Sequence, residues 1–159
     1  MAEPALRDAT PADLGVLLTL LRALAAYEKL THKVRTTEAT LRSALFADPP
    51  AAYGLLAEQD GAAVGFALWY YTFNSFAAQM GLFVEDVFVV AEKRGQGIGR
   101  AIFRELARRA IARGCGQMDW SVLDWNAPAI DFYQRIGARP VRGWTMQHLD
   151  GAALAALAA

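Results

Sequence analysis

The 159-residue sequence lacks several features that would assign it to a familiar class. It has one cysteine, Cys115, which excludes an internal disulfide and favours a reducing compartment. Its 16 Lys and Arg residues balance its 16 Asp and Glu residues, so the net charge gives no indication of a nucleic-acid partner. No apolar run is long enough to span a bilayer, and early charged residues interrupt any signal peptide. These absences predict a cytoplasmic globular protein that binds neither nucleic acid nor a membrane.

The sequence also lacks the two commonest nucleotide-binding motifs, although it contains a glycine-rich turn. Gly95, Gly97 and Gly99 alternate after an apolar segment, residues 84–90, but neither Gly-x-Gly-x-x-Gly nor Gly-Lys-Ser/Thr is present. Glycines let a backbone approach a ligand closely, and the N–H groups at a helix start favour an anion such as a diphosphate. We therefore predict a strand, a phosphate-holding turn and a helix here. A plain glycine-rich surface turn is the alternative.

The remaining patterns predict a mixed α/β fold in a single domain spanning residues 1–159. Leucines at helical spacing follow Thr10-Pro11 and predict a first helix, and a second helix is expected from Thr37. Asp60-Gly61 predicts a hairpin between two strands. A strand at 118–123, a helix after Asn126, a last strand at 141–149 and an alanine-rich terminal helix complete the order β-α-α-β-β-β-α-β-α-β. The alternation in the second half predicts a parallel pair joined by a crossover helix.

The motif Arg94-x-x-Gly97-x-Gly99 and the segment 124–138 lie in the second half of the sequence. They resemble the cofactor motif, Gln/Arg-x-x-Gly-x-Gly/Ala, and the last conserved block of the GNAT superfamily of acetyl-CoA-dependent N-acetyltransferases. The resemblance covers nearly the whole chain, in register from Arg7 to Trp144. Within the superfamily, the residues around Tyr27-Glu28 resemble those of the spermidine/spermine (diamine) and thialysine N-acetyltransferase subfamily. The resemblance implies a mostly antiparallel twisted sheet with a splayed parallel pair, flanked by helices. It also implies a homodimer.

The resemblance further implies acetyl-CoA as co-substrate and no metal. Backbone groups of the strand before the glycine turn would bind the pantetheine arm, and amides of the turn would hold the diphosphate. A side chain at the start of the later helix would contact the cofactor. The cofactor-binding residues implied in this way are Val87, Phe88, Val89, Arg94, Gly95, Gln96, Gly97, Ile98, Gly99, Arg100, Asn126, Pro128, Ala129 and Tyr133.

Transfer to an alkyl amine requires two proton movements. The amine has a pKa of roughly 10, so it must lose a proton before it attacks. Glu85, beside Asp86 in an otherwise apolar strand, is the candidate to bind and deprotonate it, directly or through water. An ion pair with a nearby arginine is the alternative for either carboxylate. By resemblance, Tyr133 protonates the leaving thiolate, although its spacing alone is typical of a core aromatic residue.

The acceptor is predicted from the residues at the end of the first helix. By resemblance, Tyr27 and Glu28 recognise the amine together with Glu85 and Asp86. Polyamine-specific members have further acids just after this point, whereas this chain has Leu30-Thr31-His32-Lys33. Basic residues near the entrance of the acceptor site would repel a polycation, which favours a thialysine- or lysine-like amino acid or a short diamine as the acceptor. A protein or peptide lysine acetyltransferase and a non-catalytic acetyl-CoA-binding module are the alternatives.

Overall fold

A mixed α/β arrangement, as predicted, is present in the computed structural model, which describes residues 3–159. The chain forms two compact units, one ending at Leu123 and the other spanning Asp124–Ala159. The first unit holds a five-stranded sheet in the order β1-β2-β3-β4-β5, in which only β4 and β5 are parallel. Its strands are β1 Ala5–Asp8, β2 Tyr53–Gln59, β3 Ala62–Asn74, β4 Gln79–Val89 and β5 Cys115–Trp120, and its helices are α1 Leu14–Tyr27, α2 Glu38–Phe46 and α3 Ile98–Ala112.

Helix α1 begins where the sequence predicts a helix start and ends beside a candidate site residue. A 3-10 turn, Pro11–Asp13, leads into the helix, since proline is well suited to a first helical turn. At the other end Glu28 is the C-cap, and Lys29 takes a left-handed backbone conformation with φ 61°. Helix α1 therefore stops with Tyr27 and Glu28 at its C-terminal end.

One face of the sheet packs against α1 and α2. Leucines of the two helices form one cluster with Phe66 and Leu68 of β3 and Phe88 of β4. Phe66 is fully buried, and complete burial of such a side chain stabilises the fold by about 2 kcal/mol. The cluster therefore shows that the face of β4 that carries Phe88 lies against α1.

Helix α3 packs on the opposite face. Ile98, Ile102 and Leu106 are buried at helical spacing. A Cβ at Gly65 would lie 3.5 Å from the Ile102 side chain and only 2.7 Å from the Phe88 carbonyl oxygen, so Gly65 permits this close approach. The first unit thus has helices on both faces of its sheet.

The predicted hairpin between β2 and β3 is confirmed. Asp60 and Gly61 both have positive φ angles, 54° and 77°, as the two-residue turn of a tight hairpin requires. Among residues 3–159, no helix is both long and apolar enough to cross a membrane.

Two predicted strands need correction. The strand expected at 118–123 begins instead at Cys115, because Gly114, with φ 76°, turns the chain directly out of α3. The strand expected at 141–149 is absent from the second unit, which contains only the helices α4 Ala127–Arg135 and α5 Gly151–Ala158. Val141, Trp144 and Met146 are exposed, and apolar residues without a neighbouring strand do not form a ladder. That both units belong to one domain stays a prediction.

Candidate active site

Strand β4 carries a β-bulge at the first of its two carboxylates. Leu68 of β3 pairs with Asp86, but the next residue, Trp69, pairs with Val84. Glu85 is therefore an extra residue with no partner across the ladder. In a regular strand adjacent side chains point to opposite faces, whereas a bulge interrupts this alternation.

The bulge brings both carboxylates to the α1 side of the sheet. Asp86 is opposite Leu68, which belongs to the cluster with α1 and α2. Burial, and then the charge of Glu85, raise the pKa of Tyr70, which is two residues from Leu68 and so shares its face. Burial, and then the same charge of Glu85, raise the pKa of Asp86. Without the extra residue, one of the two carboxylates would face α3.

Glu28 at the end of α1 completes a group of three carboxylates, which we term the acidic cluster: Glu28, Glu85 and Asp86. Burial, then the charge of Glu85, then that of Glu28 raise the pKa of Asp86 to about 6. Burial also raises the pKa of Glu28. Within residues 3–159 no member of the cluster forms an ion pair. The predicted alternative, a structural pair with a nearby arginine, is therefore not what the described residues show.

Arg94 connects the end of α1 to the end of β4. Its guanidinium carbon lies 4.4 Å from the centre of the Tyr27 ring and 5.4 Å from that of Phe88. Its Nε–H donates to the Val89 carbonyl oxygen at 3.0 Å. Arg94 was expected to bind the cofactor, and the structure shows in addition that its side chain holds Tyr27 against the strand that leads into the glycine turn.

Beyond the bulge, β4 has backbone groups that face away from β3. The Val90 N–H donates to the Val64 carbonyl, and the Phe88 carbonyl lies against Gly65, so these two residues face β3. Alternation then directs the polar groups of Val87 and Val89 to the other side. Strand β5 pairs with Met80 to Val84 and no further, so the parallel pair separates at the bulge.

The glycine turn ends at the N-terminus of α3. Gly95 and Gly97 have φ angles of 76° and 82°, and a Cβ at either would meet no atom within 4 Å. Gly99 lies in the first turn of α3 rather than in the loop. Gly97 is the N-cap and offers no side-chain acceptor to the first amides of the helix, those of Ile98, Gly99 and Arg100. These amides and the helix dipole form a place for an anion.

The other predicted site residues lie in the second unit. Asn126 is the N-cap of α4, and its side-chain oxygen accepts from the Ala129 N–H at 3.4 Å. Pro128 occupies the first turn of α4, where proline is favoured. The Tyr133 ring lies 5.5 Å from that of Phe132 in the same helix. The predicted helix after Asn126 is confirmed, and the roles of these residues stay predictions.

A family model described as the Acetyltransferase (GNAT) family matches residues 15–138. The chain belongs to this family. The thialysine N-epsilon-acetyltransferase of Sus scrofa is 36% identical to this GNAT protein over 99% of both chains. The L-ornithine N5-acetyltransferase of Arabidopsis thaliana is 28% identical over 96% of this chain and 86% of its own. An integron cassette protein from the mobile metagenome of V. cholerae has the same fold, with a TM-score of 0.80 at 24% identity and 99% coverage of both chains. This GNAT protein is thus an acetyl-transferring enzyme.

An aromatic pair beside the acidic cluster was not predicted from the sequence. Tyr70 stacks on Phe83 with ring centres 5.2 Å apart, on the face that carries Asp86. Both rings read as ordinary strand aromatics in the sequence. Tyr70 is separated from Leu68 by two positions, and this spacing becomes informative only when the register with Asp86 is known.

Proposed function

We propose that this enzyme moves the acetyl group of acetyl-CoA to the side-chain amine of a small molecule, either a thialysine-, lysine- or ornithine-like amino acid or a short diamine. The observation that supports this most strongly is the acidic cluster, which forms no ion pair within residues 3–159 and lies beside the strand edge that leads to the glycine turn. An ammonium group is the natural counter-ion for three such carboxylates. The names of the relatives from Sus scrofa and Arabidopsis thaliana support the same class of acceptor.

The residues of the first unit fit acetyl-CoA. The polar backbone groups of Val87 and the N–H of Val89 can pair with the pantetheine arm as a further strand would, while the Val89 carbonyl oxygen already accepts from Arg94. The amides from Gly95 to Arg100 suit the diphosphate, because the positive φ angles of Gly95 and Gly97 leave open space where a side chain would stand. When bound, acetyl-CoA supplies the thioester that carries the acetyl group.

The chain's own residues provide binding and proton transfer. The acidic cluster holds the ammonium, and the Glu85–Asp86 pair takes its proton, so that a neutral amine can attack without an acyl-enzyme. Tyr133 donates a proton to the departing thiolate, and Asn126, Pro128 and Ala129 contact the cofactor. These last roles rest on the family resemblance.

The basic segment after α1 supports a small acceptor over a polyamine. His32 and Lys33 lie in a short 3-10 turn, Thr31–Lys33, that follows Glu28 closely. A long polycation extending from the acidic cluster past this turn would meet like charges. A short acceptor would not extend that far.

We also propose a homodimer located in the cytoplasm. The dimer rests on the subfamily resemblance, and the location rests on the single cysteine, Cys115, which suits a reducing compartment. Sedimentation analysis of the purified chain, expected to give twice the mass of 17.3 kDa, tests the dimer.

Thiol release from acetyl-CoA, measured with a panel of amines, tests the proposed function. The panel contains thialysine, lysine, ornithine, short diamines, spermidine, spermine and a histone peptide. We expect the highest kcat/KM with the amino acids or short diamines. Preference for the peptide would favour a protein acetyltransferase, and tight acetyl-CoA binding without turnover of any amine would favour a non-catalytic binding module.

A further inference from the structure

The two adjacent carboxylates of β4 differ in their surroundings, although the bulge places them on one face. Glu85, the extra residue of the bulge, is exposed, whereas Asp86 is half-buried opposite Leu68. Neither forms an ion pair within the described part of the chain, residues 3–159. The exposed carboxylate is better placed to meet an incoming cation, and the half-buried one is better shielded from water.

We propose that Asp86, rather than Glu85, accepts the proton of the bound ammonium, and that Glu85 holds the ammonium in place by its charge. This inference rests on the proposed function, because it assigns the proton transfer within the proposed amine site. It changes the assignment that the sequence favours, in which Glu85 is the base.

Three titratable groups from three elements surround Asp86. Glu85 precedes it on β4, Glu28 faces it from the end of α1, and Tyr70 shares its face from β3. The positive charges near this face are the Arg94 guanidinium, which lies on the Tyr27 ring, and Lys29, which follows Glu28. The groups that shift the pKa of Asp86 include no cation: burial acts most strongly, and the charges of Glu85 and Glu28 follow.

These surroundings make Asp86 the stronger base. Burial and the two neighbouring carboxylates raise its pKa to about 6, from an ordinary value of 3.8. A carboxylate of this kind is still about 90% ionised at pH 7, and its higher pKa makes proton transfer from an ammonium less unfavourable. Both requirements of a general base at neutral pH are therefore met at Asp86.

The proton balance is simple. One proton passes from the ammonium nitrogen to a carboxylate oxygen of Asp86, which leaves a neutral amine and a neutral carboxyl group. The amine nitrogen then forms a bond to the acetyl carbon as the carbon–sulfur bond breaks, and Tyr133 protonates the sulfur. The amide nitrogen returns its extra proton to the tyrosinate, and Asp86 releases its proton to water, so the enzyme is restored.

The test compares Asp86→Asn and Glu85→Gln with two forms of one amine. The first form is the best acceptor from the amine panel. The second is its β-fluorinated analogue, whose ammonium is more acidic and loses its proton without help. Each variant is compared with wild type on the same amine, so the weaker nucleophilicity of the fluorinated form cancels. Glu38→Gln, an exposed carboxylate change at the start of α2, is the matched control.

We expect Asp86→Asn to lower kcat at least about 100-fold with the ordinary amine and less than about tenfold with the fluorinated one. Glu85→Gln should raise the KM for both amines alike. It should also move the acidic limb of the kcat/KM profile to lower pH, because the loss of its charge lowers the pKa of Asp86. Fluorine rescue of Glu85→Gln, with none for Asp86→Asn, would overturn the proposal.

A readout independent of turnover separates this inference from the proposed function. The ¹³C carboxyl resonance of Asp86 is titrated in wild type and in Glu85→Gln. A titration near pH 6 that moves to lower pH in the variant supports the inference, and an ordinary Asp titration in wild type contradicts it. Absence of turnover with every amine would refute the proposed function itself. Unchanged CoA affinity of each variant shows that it has folded.

Discussion

Two aspartates of this protein, Asp13 and Asp86, have opposite surroundings, which fit a structural role for Asp13 and the proposed chemical role for Asp86. Both carboxylate oxygen atoms of Asp13 accept hydrogen bonds from Arg7, each at 2.8 Å, and one of them also accepts from the Thr10 N–H at 2.7 Å. Arg7 donates further to Glu58 at 2.7 Å, so the charge of the arginine is shared between two acids. Asp86 has no such partner among residues 3–159 and has two other carboxylates nearby.

The opposite pKa directions of the two aspartates express this difference. The hydrogen bonds from Arg7 hold the pKa of Asp13 well below its ordinary value, whereas burial and like charges raise that of Asp86 to about 6. Ionised Asp13 therefore stabilises the fold, and ionised Asp86 destabilises it. A charge that opposes folding is expected where a ligand supplies the missing counter-charge.

Removal of the structural charge should cause the largest loss of stability. We expect Asp13→Asn to lower the free energy of unfolding by about 2 kcal/mol at pH 7, because it breaks the pair with a half-exposed Arg7. The folded-state pKa is depressed, so this loss is fully present above about pH 4 and shrinks as the pH falls below it. Urea unfolding at several pH values measures it, and kcat/KM should stay within about twofold of wild type. A large fall in kcat with unchanged stability would erase the distinction between the two aspartates.

The variant Glu28→Gln tests whether the acidic cluster around Asp86 binds the amine. Loss of one carboxylate from the acidic cluster should raise the KM for the amine about tenfold, a typical effect of a charged contact to a ligand. The KM for acetyl-CoA should not change, because Glu28 lies at the end of α1 and not in the glycine turn. Steady-state kinetics with each substrate varied in turn measures both constants. An equal rise in both KM values would remove Glu28 from the amine site.

Gly61 and Gly97 allow the same contrast between a structural position and a proposed cofactor-binding position to be tested. Gly97 and Gly61 have similar φ angles, 82° and 77°, and open space where a Cβ would stand, but Gly61 lies in the β2–β3 hairpin. Alanine at either should cost about 1 kcal/mol of stability through backbone strain. Only Gly97→Ala should raise the KM for acetyl-CoA, by about fivefold. If Gly61→Ala raised it equally, the effect would be one of stability alone.

Replacement of Arg94, which differs in its contacts from Arg7, has the smallest expected effect on the kinetics. Arg7 neutralises acids, whereas Arg94 lies on the Tyr27 and Phe88 rings and donates to Val89. Replacement of Arg94 by Gln should loosen Tyr27 and raise the KM for the amine about threefold, in line with a cation–π contact of about 0.5–1 kcal/mol. Affinity for acetyl-pantetheine, which lacks the diphosphate, should stay unchanged. A lower affinity for CoA alone would instead place Arg94 on the diphosphate.

Local patterns in the sequence predicted the elements that depend on local physics. The 3-10 turn at Pro11 that leads into α1, the hairpin at Asp60-Gly61, and the glycine turn before α3 all depend on backbone preferences of a few adjacent residues. The family motif at Arg94, Gly97 and Gly99 then supplied the family, which the matching model confirms.

The bulge at Glu85 could not be predicted in this way. It depends on the register between Leu68 and Asp86, which are 18 residues apart in the sequence, and on the packing of Leu68 against α1. The position of Tyr70 on the face that carries Asp86 could not be predicted for the same reason. The strand expected at 141–149 failed because alternation describes a side-chain pattern and does not supply a neighbouring strand. The sequence therefore identified the two carboxylates, and only the register showed that they share a face.

The free energy of unfolding of Asp86→Asn, compared with wild type without ligands, tests the central contrast most directly. A folded-state pKa of about 6 against 3.8 means that the contribution of Asp86 to stability is present below about pH 4 and is lost as the pH rises through 6. The two proteins should therefore be equally stable near pH 4. At pH 8 the variant should be more stable by up to about 3 kcal/mol, since each pKa unit corresponds to about 1.4 kcal/mol. Equal stability at both pH values, or a less stable variant at pH 8, would show that Asp86 is a structural carboxylate like Asp13.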